Sequence, residues 1–117
     1  MKLPTPSEHA EQVALVQWLR LRKIDHFAIP NAARRNPRTA AMLKAEGMRS
    51  GAPDIVLVPP APNDGWRHVA IELKRQRGGR LADTQREMHA IMSARGWIVL
   101  LALGWQHAVE LLTGLGY

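Results

Sequence analysis

The chain has 117 residues, 46% of them hydrophobic, and its 16 Lys and Arg against 10 Asp and Glu give a net charge of +6. This size and composition predict one globular domain over 1–117, with 1–5 as a loose lead-in. The lack of cysteine excludes a disulfide framework and a Cys-ligated zinc site. No apolar run is long enough to span a membrane and no signal peptide is evident, so we expect a cytoplasmic protein. The positive charge favours nucleic acid over a membrane surface as the partner.

The first predicted helix begins after Ser7, a residue type that commonly caps helix N-termini. Apolar residues recur at helical spacing over 13–21, which predicts an amphipathic helix with one core-facing stripe. Glu8 and Glu11 lie in the first turn and continue that stripe. They are either acids that face a functional site or surface acids that complement the helix dipole, and the pattern leaves both interpretations open.

A short strand is predicted over 26–30 and a second helix over 37–46, with Pro37 in its first turn and Gly47 at its end. The chain around this helix is strongly basic. Such a region beside a catalytic site would hold phosphates, although a solvated basic surface has the same pattern. The residues expected to contact DNA phosphates here are Asn31, Arg34, Arg35, Arg38, Lys44 and Arg49.

Two apolar runs, over 54–58 and 68–74, predict two further strands. The Asn-Asp-Gly sequence at 63–65 between them is typical of a tight reversal of the chain. We therefore expect the two strands to pair as antiparallel neighbours.

Charged side chains occur on both of these strands. Asp54 opens the first, and Glu72 and Lys74, two residues apart in VAIELK, point to the same face of the second. Mg²⁺ and Mn²⁺ take oxygen ligands, so Asp54, Glu72 and the backbone carbonyl of Leu73 could hold one of them. Lys74 could then orient the attacking water or stabilise charge on the phosphate. The alternative is a solvated strand face, but charged residues in an apolar strand are uncommon unless paired or metal-bound.

The loop after the second of these strands, RQRGGR, could follow a phosphate backbone without reading sequence. Its basic residues expected to contact phosphates are Arg75, Arg77 and Arg80. Asp83 then predicts the N-cap of a third helix over 84–95, with Gln85 in its first turn. An apolar strand over 97–103, expected to be buried, and a short helix over 105–113 follow.

The succession of strand, helix and strand from 68 to 103 predicts a βαβ crossover. Folds of this kind place ligands at the end of the first strand, where Lys74 lies. The five histidines show no metal-ligand spacing, and we interpret none of them as catalytic.

Gly51-x-Pro53-Asp54, Glu72-x-Lys74 and Gln85 in the following helix together resemble the PD-(D/E)xK nuclease signature. Within that superfamily the chain is most similar to the small stand-alone VRR-NUC domains of phages and bacteria. The similarity includes the opening EHAEQVALVQWL and the loop KRQRGGRLADTQ and extends over nearly the whole chain. It implies an α/β fold with the restriction-endonuclease-like core αβββαβ, in which helices flank a mixed sheet.

The same resemblance implies roles for individual residues. Asp54, Glu72 and Lys74 would be the catalytic set, and Gln85 would be the helix glutamine that supports the site. The family also has a glutamate on its first helix, which would join the metal ligands. Glu11 is the favoured match for that glutamate, and Glu8 stays open as the other.

The resulting hypothesis is a divalent-metal-dependent DNA endonuclease that cuts branched or duplex DNA in the manner of a Holliday-junction resolvase. A homodimer is expected, because one site must serve two strands, and the host would be a bacterial or phage-infected cell. Two alternatives are a DNA-binding module without catalysis and a phage module that binds an acidic protein through its basic face.

Overall fold

The computed structural model describes residues 3–30, 36–59 and 67–117. Their element order is α1, β1, α2, β2, β3, α3, β4 and α4. The helices are α1 (Glu8–Leu21), α2 (Pro37–Ala45), α3 (Asp83–Ala94) and α4 (Trp105–Gly114). The strands are β1 (His26–Ala28), β2 (Ile55–Leu57), β3 (Val69–Lys74) and β4 (Ile98–Leu103).

The strands form one mixed sheet in the order β1-β2-β3-β4. β1 pairs antiparallel with β2, and β2 pairs antiparallel with β3, with Ile55 opposite Ile71. β3 pairs in parallel with β4, so that Glu72 lies opposite Leu101. The predicted antiparallel pair, the βαβ crossover through α3 and the α/β class with a mixed sheet are therefore confirmed.

The two faces of the sheet bury different groups. On one face, Ile71 of β3 packs in a core with α1 and α4. On the other, Ala70 packs with Met92 of α3. Because side chains alternate along a strand, Glu72 and Lys74 share the α3 face with Ala70.

The starts of α1 and α3 differ in how well they were predicted. Ser7 caps α1 as expected, since its Oγ accepts a hydrogen bond from the backbone N–H of Ala10 at 3.1 Å. The prediction that Asp83 caps the third helix is wrong, because the N-cap is Ala82 and Asp83 is the first helical residue. The Ala82 N–H donates instead to Oε1 of Gln85, at 2.8 Å, which satisfies one of the free donors at the helix start.

The prediction that the last strand is buried is also wrong in part. β4 is an outer strand of the sheet, and within it only Ala102 is buried. Leu101 and Leu103 are 40% and 44% exposed. They lie on the same face as Glu72 and Lys74, their register partners on β3. Among the described residues, no helix is both long enough and apolar enough to cross a membrane.

Candidate active site

The backbone of Asp54 is fixed at the point where β2 begins. Its N–H donates to the carbonyl of Ile71 at 3.0 Å, and its carbonyl accepts from the N–H of Ile29 at 2.8 Å. The preceding Pro53 is fully buried. Proline restricts the backbone on both of its sides, so this segment holds the Asp54 side chain at the edge of β3.

Gly51 lets the turn before Asp54 pack against the start of α3. Its φ is +86°, a conformation that L side chains rarely adopt, and a Cβ there would overlap the carbonyl of Thr84 and lie 2.8 Å from the backbone nitrogen of Gln85. The glycine of the predicted motif is thus explained by a close approach of two backbones. That approach links the position of Asp54 to that of α3.

The Asp54 carboxylate binds the main chain of the neighbouring strand. Its Oδ2 accepts a hydrogen bond from the N–H of Leu73 at 2.7 Å. The β2–β3 ladder runs only as far as Ile55 opposite Ile71, so Leu73 lies just beyond it. In a strand the N–H and C=O of one residue point to the same edge, which directs the Leu73 carbonyl toward Asp54 as well.

Glu72 and Lys74 project from β3 into the space under α3. Their exposed fractions are 1% and 8%, which is unusual for charged residues. The pKa of Glu72 is raised to about 9 by burial, by a side-chain hydrogen bond to Asp54 and by the negative charge of Asp54. Lys74 acts in the opposite direction and lowers this pKa. Two adjacent carboxyl groups therefore share this face, and their proximity favours the protonated form of Glu72 when no cation is present.

Lys74 is covered by the glycine-containing loop that follows it. A Cβ on Gly79 would lie 2.9 Å from the Cβ of Lys74 and 3.3 Å from the backbone nitrogen of Arg75. Only a residue without a side chain lets the loop fold back this closely. The loop thus shields the stem of Lys74 from solvent and limits where its ammonium group can point.

His89 of α3 is part of this group, although the sequence analysis assigned it no role. Its Nε2 lies 3.2 Å from Oε1 of Glu72, and its side chain is 13% exposed. Burial lowers the pKa of His89, an effect that Asp54 opposes and Lys74 reinforces. The signal available in sequence was its spacing, because His89 is four residues after Gln85 and thus on the same face of α3.

The two glutamates of α1 have different surroundings in the structure. The negative charge of the half-buried Glu8 contributes to the raised pKa of Glu72, so Glu8 is close enough to act on the site. Glu11, which the motif comparison favoured, is 2% exposed and accepts a hydrogen bond from Nε2 of Gln76 at 3.3 Å. A Cβ on Gly104 would overlap Oε2 of Glu11, so this carboxylate is packed between the end of β3 and the start of α4.

Gln85 lies beside the turn of Gly51, but its side-chain oxygen is used to cap α3. The structure therefore places it next to the segment that positions Asp54 rather than against the carboxylates. Its hydrogen bond with the Ala82 N–H stabilises the start of α3.

The residues predicted to contact phosphates lie at the protein surface wherever the structure describes them. The exposed ones are Arg38, Lys44, Arg49, Arg75, Arg77 and Arg80. None of the residues of α2, which contains two of them, is buried. Asn31, Arg34 and Arg35 lie outside the described residues. Arg75 donates from Nη2 to the carbonyl of Thr5 at 3.4 Å, which ties the loop to the segment before α1.

The donors at the site suit a hard divalent cation. Within the described part of the chain, no group of three or more His, Asp or Glu side chains is arranged to hold a metal ion. A cation here would have two carboxylates, a main-chain carbonyl and water, and Mg²⁺ commonly binds proteins through one or two carboxylates while keeping several waters. The raised pKa of Glu72 beside Asp54 reflects the concentration of negative charge that such a cation would neutralise.

The comparisons with known proteins bear on the fold. The sequence matches no family model and no curated protein. A solved structure described as a VRR_NUC domain protein superposes with a TM-score of 0.77 over 96% of this chain and 89% of its own length, at 18% sequence identity. The chain therefore has the fold of a VRR-NUC domain, the restriction-endonuclease-like fold that its motifs predicted.

Proposed function

We propose that the protein is a divalent-metal-dependent endonuclease that hydrolyses phosphodiester bonds in DNA. The main observation behind this proposal is the buried Glu72, which lies beside the half-buried Asp54 and shares the α3 face of β3 with the buried Lys74. Stability alone does not explain a buried carboxyl group beside a second one, because burial and the neighbouring charge both destabilise its charged form. The VRR-NUC fold and the exposed arginines support the same proposal.

Asp54, Glu72 and the Leu73 carbonyl would hold Mg²⁺ or Mn²⁺, and Glu8, whose charge acts on Glu72, would add negative charge near the ion. When bound, such an ion supplies Lewis-acid polarisation of the scissile phosphate and a bound water that is more acidic than bulk water. Glu72 must lose its proton for this, and the opposing charge of Lys74 assists because it lowers the pKa of Glu72. Glu11 takes no part in the proposed ligand set, since it is engaged by Gln76.

Lys74 would act directly on the substrate. Its position two residues after Glu72 puts its ammonium group on the same face as the two carboxyl groups. An ammonium group there donates a hydrogen bond to a non-bridging oxygen or to the attacking water, and it stabilises the charge that develops on the phosphorus centre. The loop that contains Gly79 packs against Lys74 and limits the access of water to its side chain.

The substrate would be held by its backbone. The exposed arginines of the loop 75–80 follow directly after Lys74, and the exposed Arg38 and Lys44 lie on α2, which has no buried residue. Contacts of this type position nucleic acid without reading its sequence, which suits recognition of a branched or otherwise structured DNA by shape. We propose a homodimer for the cleavage of both strands, since each chain has one such centre.

The test is cleavage of labelled linear duplex, single strand, flap and four-way junction DNAs in Mg²⁺, Mn²⁺ or EDTA. The wild type is compared with Asp54→Asn and Lys74→Ala, and with Glu87→Gln as a control that removes an exposed acid from α3. We expect metal-dependent cutting by the wild type and the control alone, with the branched DNAs preferred. Binding of DNA without cleavage in any metal would contradict the proposal and favour the DNA-binding module.

A further inference from the structure

The imidazole of His89 is a half-buried group that contacts Glu72 and that the proposed mechanism does not use. We infer that His89 is a positioning residue, which donates a hydrogen bond from Nε2 to Oε1 of Glu72 and fixes that carboxylate for metal binding. This inference rests on the proposed metal site, and it adds a residue that neither the motif nor the spacing of ligands identifies.

The first support is the way α3 is held over the sheet. Met92, three residues after His89, is buried and packs with Val56 and Ala70 on the sheet. At the start of the helix, Gln85 caps the Ala82 N–H. His89 lies between these two fixed points and on the same side of the helix, so its ring is directed at β3 by an anchored backbone.

The second support is the contact itself. The Nε2–Oε1 distance of 3.2 Å joins two side chains that are 13% and 1% exposed, so little solvent competes for the hydrogen bond. A neutral imidazole has one N–H. When Glu72 is ionised, as metal binding requires, its carboxylate favours the tautomer that places this hydrogen on the facing nitrogen. With one oxygen engaged in this way, rotation of the Glu72 carboxylate about its last torsion is restricted.

A role as a metal ligand is a different explanation, and the geometry does not support it. His89 does not form a three-member group with Asp54 and Glu72 that could hold a metal ion, as judged over the described residues. Mg²⁺ also takes oxygen ligands rather than imidazole. Residues that orient a ligand by hydrogen bonding typically change metal affinity or activity about 10- to 100-fold when they are removed.

The test uses two substitutions of His89 and one control. His89→Leu replaces the imidazole with an apolar side chain of similar size and so removes the N–H donor. His89→Gln places an amide N–H near the position of Nε2. Glu87→Gln changes an exposed residue of the same helix. Mn²⁺ affinity is measured calorimetrically without DNA, thermal unfolding is measured in EDTA, and kcat and KM are measured on the preferred DNA at low metal concentration.

We expect Mn²⁺ affinity to fall about 10- to 100-fold in His89→Leu and to recover largely in His89→Gln. At low metal concentration kcat should fall in parallel, with the KM for DNA unchanged. Wild-type Mn²⁺ affinity in His89→Leu, or equal losses in both variants, would overturn the positioning role while leaving the nuclease proposal intact. A wild-type protein that binds no Mn²⁺ would instead overturn the proposed function, and this inference with it.

Discussion

On one face of β3, Ile71 is fully buried among side chains of α1 and α4, while on the other face Glu72 is almost as buried, beside Asp54 and His89. The two residues are neighbours in sequence and equally hidden from water, but their burial has opposite effects. Burial of an isoleucine stabilises the fold, whereas burial of a carboxyl group next to another carboxyl group raises its pKa and opposes its charge. The apolar face thus holds the strand in place, which allows the polar face to keep a set of groups that is unfavourable for stability.

The largest expected effect follows from neutralising the polar face. Glu72→Gln should reduce the rate of DNA cleavage about 10³-fold or more, because metal assistance supplies several kcal/mol of transition-state stabilisation. Its free energy of unfolding in EDTA should match that of the wild type below pH 4.5 and exceed it at pH 7, because the amide resembles the protonated acid but the unfolded wild type gives up its proton above pH 4.5. Single-turnover cleavage and denaturant unfolding measure the two quantities. An active Glu72→Gln protein would contradict the assignment of Glu72.

The apolar face should respond in the opposite way. Ile71→Ala should lower the free energy of unfolding by about 2–5 kcal/mol, because it removes a fully buried side chain and leaves a cavity. The cleavage rate per folded molecule should change little. Val58→Ala is the control, since that side chain is 42% exposed, and it should cost well under half as much. Equal losses in the two variants would show that β3 is not the centre of the core.

A change at Gly51 should affect both faces at once. Gly51→Ala should lower the free energy of unfolding by about 1–3 kcal/mol and also slow cleavage, because the turn must move away from Thr84 and Asp54 moves with it. Gly47→Ala is a matched control, since Gly47 also has a positive φ of +108° but a Cβ there would meet nothing within 4 Å. It should show a loss of stability without a loss of cleavage. If both substitutions leave cleavage unchanged, the turn does not position Asp54.

The pH dependence of stability is a finer probe of the polar face. A carboxyl group with a raised pKa binds its proton more tightly in the folded state than in the unfolded state. The stabilisation that results is complete below the ordinary pKa of 4.5 and is lost as the pH rises through about 9. His89 has a lowered pKa and affects stability below its ordinary value of 6.5, so the interval from pH 7 to 9 isolates Glu72. Over that interval, the metal-free wild type should lose stability relative to Glu72→Gln, as denaturant unfolding in EDTA would measure.

Much of this arrangement could be predicted from local sequence. Strand alternation in VAIELK places Glu72 and Lys74 on one face, and the turn sequence at 63–65 predicts the antiparallel pairing that brings Asp54 to them. Each of these inferences depends on spacing within a few residues or on one hairpin. The carboxyl pair and its strand were predictable for that reason.

The remaining features depend on how elements cross in space. His89 is 17 residues from Glu72, and its contact follows from the path of α3 over the sheet; its spacing from Gln85 gives its face of α3 but not this contact. Glu8 and Glu11 are three residues apart on one face of α1, so only the orientation of that helix decides which of them approaches Glu72. The exposure of Leu101 likewise follows from the strand order. An apolar run predicts a strand but does not tell whether that strand lies at the edge of the sheet or at its centre.

The measurement that most directly tests the central claim is calorimetric titration of the metal-free protein with Mn²⁺ at pH 7, in two buffers of different ionisation enthalpy. If the Asp54–Glu72 pair binds the ion, binding must release the proton that Glu72 holds, and the apparent enthalpy will differ between the buffers. The account predicts such proton release in the wild type and in Glu87→Gln, with weak binding and no release in Glu72→Gln. Mn²⁺ binding that is equally tight and equally independent of buffer in wild type and Glu72→Gln would contradict it.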